Sequence, residues 1–492
     1  MMTRPAIRWF LLAILTAVVG GAETTTVSAA STVVVINGAS PASAQVARAW
    51  MRLRGIADDR AVVLDGVPVQ PQMSLADFRR LVLDPLEAAL VRQGRAQTTL
   101  LVAYGPDFPI AISFDDAGQT MGFRSPGSLT GMTLLAPLHA GGARAFTAPN
   151  ANTYADRPET PGLRESLRAQ ADERMQRADQ MLIDKKFPEA ETLLRELASD
   201  IPAPGVLYNL ACVQALGGHT ASALESLGKA IDAGWFDEQH TGKDPDLTTL
   251  RTEPTWPALI TRIQAQALRI TPGLSLPFSA LPANAGSPPG RLAIMLGVTS
   301  GRGLTVEETI ANLTRSVAAD GTKPAGAVYF MASTDEARTG PRRWAFAAAA
   351  NALRGLGVQA EVREGVLPPK DAHVVGAVIG IADFDWAASG ATIQPGAWCD
   401  HLTSTGGALQ AGAGQTPLTA FLRFGAAGAG GTVAEPLNYP FKFPSAFVHV
   451  HRARGLSLVE AVHRAMSCPY QYLVVGDPLS RPWPATAPEK VP

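Results

Sequence analysis

Short apolar runs alternate with amphipathic stretches at both ends of this chain, and no other feature narrows its fold as much. Thr32–Ile36 (TVVVI), Ala61–Leu64 and Thr99–Ala103 (TLLVA) are four or five residues long, the length of a buried strand. Between them lie helix signals. Ser40-Pro41 supplies an N-cap and a proline at the first helical position, opening a helix through Trp50, Met51 and Leu53. Ser74 caps a second helix through Phe78, Leu81, Leu86 and Leu90. The rhythm returns near the other end. Leu292–Leu296, Ala327–Met331 and His373–Ile381 (HVVGAVIGI) are strands, and a T-x-x-E capping box at Thr305 and Glu308 opens a helix. A further helix is expected over Arg342–Leu356. Strand–helix alternation with short loops implies an α/β fold with a parallel sheet and right-handed crossovers.

Residues 161–270 differ. Sixteen of the forty residues in 161–200 are Asp, Glu, Lys or Arg. A pattern then recurs at an offset of 33: Ala178, Ala190 and Leu194 return as Ala211, Ala223 and Leu227. Pro202 and Ala230 fall near the ends of the two units. Small residues at helix crossings with larger apolar neighbours resemble the tetratricopeptide repeat. Two repeats over about 170–234, with Trp256, Leu259 and Ile260 in a closing helix, cannot bury a solenoid core alone, so they are expected to pack on a neighbour. A Pro/Gly/Ser-rich linker follows at 271–290. The expected organisation is therefore 31–160 and 291–485 as two halves of one α/β domain, interrupted by an all-α insertion at 161–270, with a tail at 486–492. Two separate α/β domains flanking the repeats are the alternative.

Charge and termini bound the function. With 42 basic and 43 acidic residues the net charge is −1, which excludes a generally basic nucleic-acid binder. Arg4 and Arg8 precede an apolar run of 11 residues, Trp9–Val19, too short to span a bilayer comfortably. Residues 1–30 therefore read as an export signal, cleaved after Ala22 or Ala30, and no later stretch has transmembrane length. Periplasm, envelope and exterior are all open as destinations. Cys212, Cys399 and Cys468 are an odd set of three, which makes no disulfide framework. Cys212, inside a repeat helix, reads as a small buried apolar residue.

The candidate chemistry lies in the glycine-rich stretch 401–450, where formal charge is confined to Arg423, Glu435 and Lys442. Cys399, Asp400, His401, Thr403 and Ser404 are expected in one loop, with Glu435 at the end of a strand at Thr432-Val433. Asp400 could orient His401, and His401 could activate Ser404 or a water. Alternatively, Asp400 and Ser404 cap turns and Glu435 fixes a loop. Cys399 beside His401 is a candidate thiol–imidazole pair. His449 and His451, read as alternating on an extended segment, would share a face and could hold a metal with Asp400 or His401. Gly301-Arg302-Gly303 precedes a helix N-terminus that could favour an anion. It lacks the G-K-[ST] of a P-loop and the G-x-G-x-x-G fingerprint, so no cofactor is expected. Gly476-Asp477-Pro478 reads as a fixed turn whose carboxylate accepts backbone N–H bonds.

Several blocks together carry a resemblance: Asp400–Gly407 (D-H-L-T-S-x-G-G), Gln415–Leu418, Gly431–Pro436, Lys442–Pro444 and Val475–Leu479 (ending G-D-P-L), with Thr32–Ser40 and Arg54-Gly55-Ile56. They resemble a bacterial exported family of unknown function, itself remotely similar to gingipain-type cysteine peptidases. That resemblance implies a caspase-like sheet. It also implies a His-Gly after one strand and a nucleophilic Cys after the next. Here Ala382-Asp383-Phe384-Asp385-Trp386 follows the apolar strand at 373–381, and neither the His-Gly nor the Cys is present. The expected function is an exported, non-catalytic module that binds a peptide or protein partner through its helical repeats. The alternative is a peptidase-like hydrolase using Asp400, His401 and Ser404.

Overall fold

The computed structural model describes residues 27–484 apart from 120–121, 153, 157–173, 176, 201–203, 234, 236–237, 269–289 and 413. The export signal before Val27, residues 271–289 of the linker and the tail at 486–492 lie outside the described residues, as do Pro202 and the start of the insertion. The strands are β1 (Thr32–Asn37), β2 (Ala61–Leu64), β3 (Gln72–Ser74), β4 (Leu101–Tyr104), β5 (Ala111–Ser113), β6 (Gly127–Ser128) and β7 (Leu292–Met295). They continue with β8 (Ala327–Ala332), β9 (Gln359–Glu364), β10 (His373–Gly380), β11 (Thr392–Leu402), β12 (Gly428–Thr432) and β13 (Tyr472–Gly476).

Ten of these strands form one sheet in the order β2-β1-β4-β7-β13-β12-β11-β10-β8-β9. Strands from both segments share it: β4 pairs directly with β7 across the insertion, Leu101 against Leu292. Neighbours run parallel at every pairing except one, where β12 and β13 pair antiparallel. That exception divides the sheet into two halves of five. Read inward from its outer edge, each half runs second, first, third, fourth, fifth in chain order. The two halves repeat one topology and meet head to tail at their fifth strands. β3, β5 and β6 make a small separate sheet.

Side chains alternate across the sheet, as a strand's period of two requires. Val33, Val35, Tyr104, Met295, Cys399 and Val475 face one apolar layer, with Phe78, Leu129 and Phe421. Val34, Ile36, Ile294, Trp398 and Tyr472 face the other, against Trp50 of the helix Pro41–Arg54 and Val459 of the helix Leu458–Arg464. The local signals act where they stand. Ser40 accepts from the Ser43 N–H, Ser74 accepts from the Asp77 N–H, and the capping box at Thr305/Glu308 is formed, as is a second at Ser457/Glu460. The helix expected over 342–356 is two, Glu336–Arg343 and Phe346–Gly355, with Pro341 inside the first.

The insertion is helical, with Phe187–Asp200, Pro204–Leu216, Thr220–Asp232 and Trp256–Leu268 as its longer helices. The positions related by the 33-residue offset, Ala178/Ala211, Ala190/Ala223 and Leu194/Leu227, are all buried between these helices. Helix Trp256–Leu268 packs against Phe346–Gly355 of the α/β core.

The seam of the sheet rests on glycine. β12 reads GAGGT, and a Cβ at Gly430 would lie 2.3 Å from Cε1 of Tyr472, while one at Gly428 would lie 2.6 Å from Leu458 Cδ1. The strand is bare so that its neighbours' side chains can cross it. Gly430→Ala should therefore destabilise the fold by about 1–3 kcal/mol. Chemical denaturation checks this, and combining it with Tyr472→Leu should cost less than the two changes summed.

Candidate functional site

Asp400 does not stand on a loop. It lies within β11, whose 11 residues extend through Pro395-Gly396 by way of an irregular register against β10. The turn-like Pro-Gly pair and the polar residues beyond it disguise a strand buried on both faces.

On one face, Asp400 is fully buried and takes both oxygens to Arg342 Nη1 at 2.8 Å. Arg342 Nη2 donates to the Ile379 carbonyl at 2.6 Å. Tyr472, on β13, reaches across β12 above Gly430 and donates its hydroxyl to Asp400 Oδ2 at 2.7 Å. Burial pushes the Asp400 carboxyl up, opposed by Arg342 and the tyrosine hydroxyl, and burial beside Asp400 raises Tyr472 further above its ordinary range. Asp400 caps no turn.

His401, one residue on, points to the opposite face. Its ring packs edge-on against Phe384 at 5.1 Å and against Phe421 at 5.7 Å. Neither ring nitrogen bonds to another side chain among the described residues, and the Thr416 backbone lies alongside. Burial, with Arg342 and Arg338 nearby, brings the imidazole down to about 3, so it is neutral. Asp400 and His401 are therefore separated by the sheet itself, and the expected Asp–His pairing is not formed. Cys399 shares the His401 face, fully buried, and burial beside Asp400 pushes its thiol well up, away from a nucleophilic thiolate.

Ser404 is partly buried just past β11, and its carbonyl accepts from Thr432 Oγ1 at 3.2 Å. The loop around it is clamped by Gln415, whose Oε1 accepts from Thr403 Oγ1 at 2.5 Å and the Thr405 N–H at 2.9 Å. Glu435 is exposed and accepts from the Leu437 N–H at 2.8 Å, fixing a loop in which Leu437 has φ 55°.

His449 and His451 lie on the helix Phe447–Ala453, not on an extended segment. Two residues apart on a helix, they point in different directions and share no metal position. His449 fills the space over Gly376, where a Cβ would lie 2.4 Å from its Cε1. His451 meets the Asp156 carboxylate. The turn at Gly301-Arg302-Gly303 is occupied from within. Arg302 donates its backbone N–H to Leu409 O at 2.7 Å and Nη1 to Gln415 O at 2.6 Å, and the following helix is closed by its own capping box.

Three groups outside the candidate catalytic set carry weight. Asp477 of G-D-P-L is fully buried and accepts from Trp50 Nε1 at 3.0 Å, Arg54 Nε at 3.2 Å and the Leu479 N–H at 3.2 Å. Arg342 gave no motif, only a charge at the start of an apolar stretch. Lys442 is fully buried in an aromatic box, its ammonium 4.7 Å from the Phe123 ring, 5.0 Å from Tyr470 and 5.4 Å from Tyr439. It donates to Gln471 Oε1 at 2.9 Å and Pro436 O at 3.2 Å, and burial lowers it to about 8.

Compared with known proteins, the chain matches no family model, no curated protein and no solved structure.

Two predictions follow from this geometry. Asp400→Asn leaves the Arg342 charge buried without its counter-charge and should cost about 3–5 kcal/mol in urea unfolding, whereas Arg342→Met with Asp400→Leu should cost much less. Four buried histidines are held below their ordinary 6.5: His139 and His463 at about 4, His401 and His449 at about 3. Between those values and 6.5 the unfolded chain binds more protons, so stability falls as pH drops below about 6.5, by up to about 1.4 kcal/mol per pH unit for each histidine. Urea midpoints from neutral pH downward should show this slope, and His401→Phe should flatten it by one histidine's share.

Proposed function

We propose that this is an exported, non-catalytic protein in which a peptidase-like α/β scaffold supports a helical repeat insertion that binds a peptide or protein partner. One observation carries the non-catalytic part: Asp400 and His401 face opposite sides of the sheet. Asp400 is committed to Arg342 and Tyr472, and His401 is neutral among phenylalanines. Acid–base or nucleophilic catalysis needs those groups to converge on one reacting atom. The blocks that carry the family resemblance act as supports: Asp400 spans the seam, and Asp477 ties the end of β13 to Trp50 and Arg54.

Partner binding rests on the insertion. Stacked helix–turn–helix units offer an extended surface suited to a chain segment, and Ile183 and Leu216 expose apolar side chains at the ends of its helices. No helix among the described residues is long and apolar enough to cross a membrane. Export rests on the N-terminal pattern of Arg4, Arg8 and the apolar run. Of the two cleavage positions, Ala22 is favoured. The buried Val27 takes its N–H to Glu460 Oε1 at 2.9 Å and its carbonyl to Arg481 Nη2 at 2.7 Å, contacts that cleavage after Ala30 would remove.

The test pairs two measurements on the full mature chain. Serine- and thiol-reactive hydrolase probes with peptide mapping should leave Ser404 and Cys399 unmodified. Stoichiometric labelling at either, lost in His401→Ala, replaces this reading with a hydrolase. Peptides selected from a random display library should converge on one sequence pattern, bind saturably in solution, and protect residues 177–268 from hydrogen exchange. Protection confined to the α/β core would overturn the assignment of the partner surface.

A further inference from the structure

Cys212 is not simply an apolar filler of the repeat helix. It sits on Pro204–Leu216 opposite the start of the 3-10 helix Pro245–Thr252, and there it meets Asp244 and Asp246. The ligand atoms of these three residues lie within 4.8 Å of one another. Cys212 Sγ is 3.7 Å from Asp244 Oδ2, and His240 Nε2 is 3.4 Å from the same oxygen. Tyr208 donates its hydroxyl to that oxygen at 2.7 Å. The frame is rigid: Tyr208 stacks on Trp235 at 4.0 Å, and Trp235 Nε1 donates to Thr241 Oγ1 at 2.9 Å.

We propose that Cys212, Asp244 and Asp246 bind one divalent transition-metal ion of the zinc class, with His240, which already touches Asp244 from the exposed rim, turning in as the fourth ligand. The spacing fits. Zinc bonds of ~2.3 Å to sulfur and ~2.0–2.1 Å to nitrogen or oxygen, arranged tetrahedrally, place ligand atoms roughly 3.3–3.6 Å apart. The separations of Cys212 Sγ and His240 Nε2 from Asp244 Oδ2, 3.7 and 3.4 Å, lie close to that range, and the Cys212, Asp244 and Asp246 ligand atoms are all within 4.8 Å of one another. One sulfur and two oxygens, with an imidazole nitrogen at the rim, select a borderline-soft ion of low coordination number over calcium or magnesium, which take oxygen ligands in larger number. Tyr208 is placed to orient the Asp244 carboxylate from outside the ligand set.

The charge balance points the same way. A thiol and two carboxylates share one partly buried space, where their ionised forms would repel one another. A divalent cation reverses that repulsion. On binding, the ion takes the place of the proton on Cys212 Sγ, the proton leaves to solvent, and no electron is transferred. The access side is open, because the His240 side chain is 55% exposed. In sequence the site reads as one cysteine followed by H-x3-D-x-D, His240 to Asp246, a spacing that carries no established fingerprint.

The experiment strips the full chain with a chelator and titrates it with Co2+ and then Zn2+. Expected are one equivalent bound, a thiolate-to-cobalt charge-transfer band, and release of about one proton per ion by calorimetry in buffers of different ionisation enthalpy. Cys212→Ser should abolish the band. Asp246→Asn and His240→Ala, both at the open side, should weaken zinc binding by about tenfold or more. Circular dichroism checks that each variant is folded; should Cys212→Ser fail to fold, the other two variants and the wild-type cobalt spectrum carry the test. Absence of the charge-transfer band in the folded wild type, or unchanged affinity in Asp246→Asn and His240→Ala, overturns the site and leaves Asp244 as a helix cap bonded to Tyr208.

Discussion

The two halves of this sheet are fastened by a buried hydrogen bond, from Tyr472 to a carboxylate already paired with Arg342, that reaches across a strand of glycines. Arg342 belongs to the second half, Asp400 to its fourth strand, and Tyr472 to the last strand of the first half. A carboxylate between two partners in an apolar interior has no low-energy alternative, because an unmatched charge there costs several kcal/mol. The seam therefore tolerates neither a slip in register nor a side chain on Gly430. Arg452 repeats the tactic nearby, donating Nη2 to the Gly396 carbonyl at 2.6 Å and Nη1 to that of Ser480 at 3.3 Å. Charge is scarce in this stretch of chain, and its buried charges are spent on joining strands.

Much of the frame was legible in the sequence because it rests on local signals. Strand runs such as TVVVI, the caps at Ser40 and Ser74, and the capping box at Thr305 and Glu308 act within a few residues, and each appears where it was read. The centre of the sheet was harder to read. β11 hid behind Gln394-Pro395-Gly396 and the polar Asp400 and His401, which look like loop chemistry until Arg342 and Tyr472 arrive from 58 and 72 residues away. β12 hid because glycine has little strand preference of its own. It becomes a strand only because Tyr472 and Leu458 need the space. The misplacement of His449 and His451 was one of period: H-V-H alternates like a strand but packs as a short helix against Phe330 and Gly376. The cluster around Cys212 was invisible for another reason, since its members come from separate helices.

The same economy explains why a stretch rich in suggestive residues yields no catalytic constellation. A histidine, a serine and two carboxylates near strand ends invite a relay, but each has a mechanical role. Asp400 neutralises an arginine, His401 fills an aromatic layer, Ser404 sits in a loop clamped by Gln415, and Glu435 turns a loop. Lys442 makes the point most directly. An aromatic box that could receive a cation from outside holds the chain's own ammonium.

The strand order also fixes when this molecule can become itself. β13, the last strand among the described residues, lies in the middle of the sheet, between β7 and the glycine strand. Until residue 476 has been synthesised, the first half lacks its inner strand and the second has nothing to bind its bare edge. Pairing β4 with β7 further requires closing a loop of nearly two hundred residues. The complete sheet therefore cannot close until strands from both ends of the described chain are present. For any chain of this topology, late closure of the central strands leaves the two halves open towards each other until the inner strand is in place.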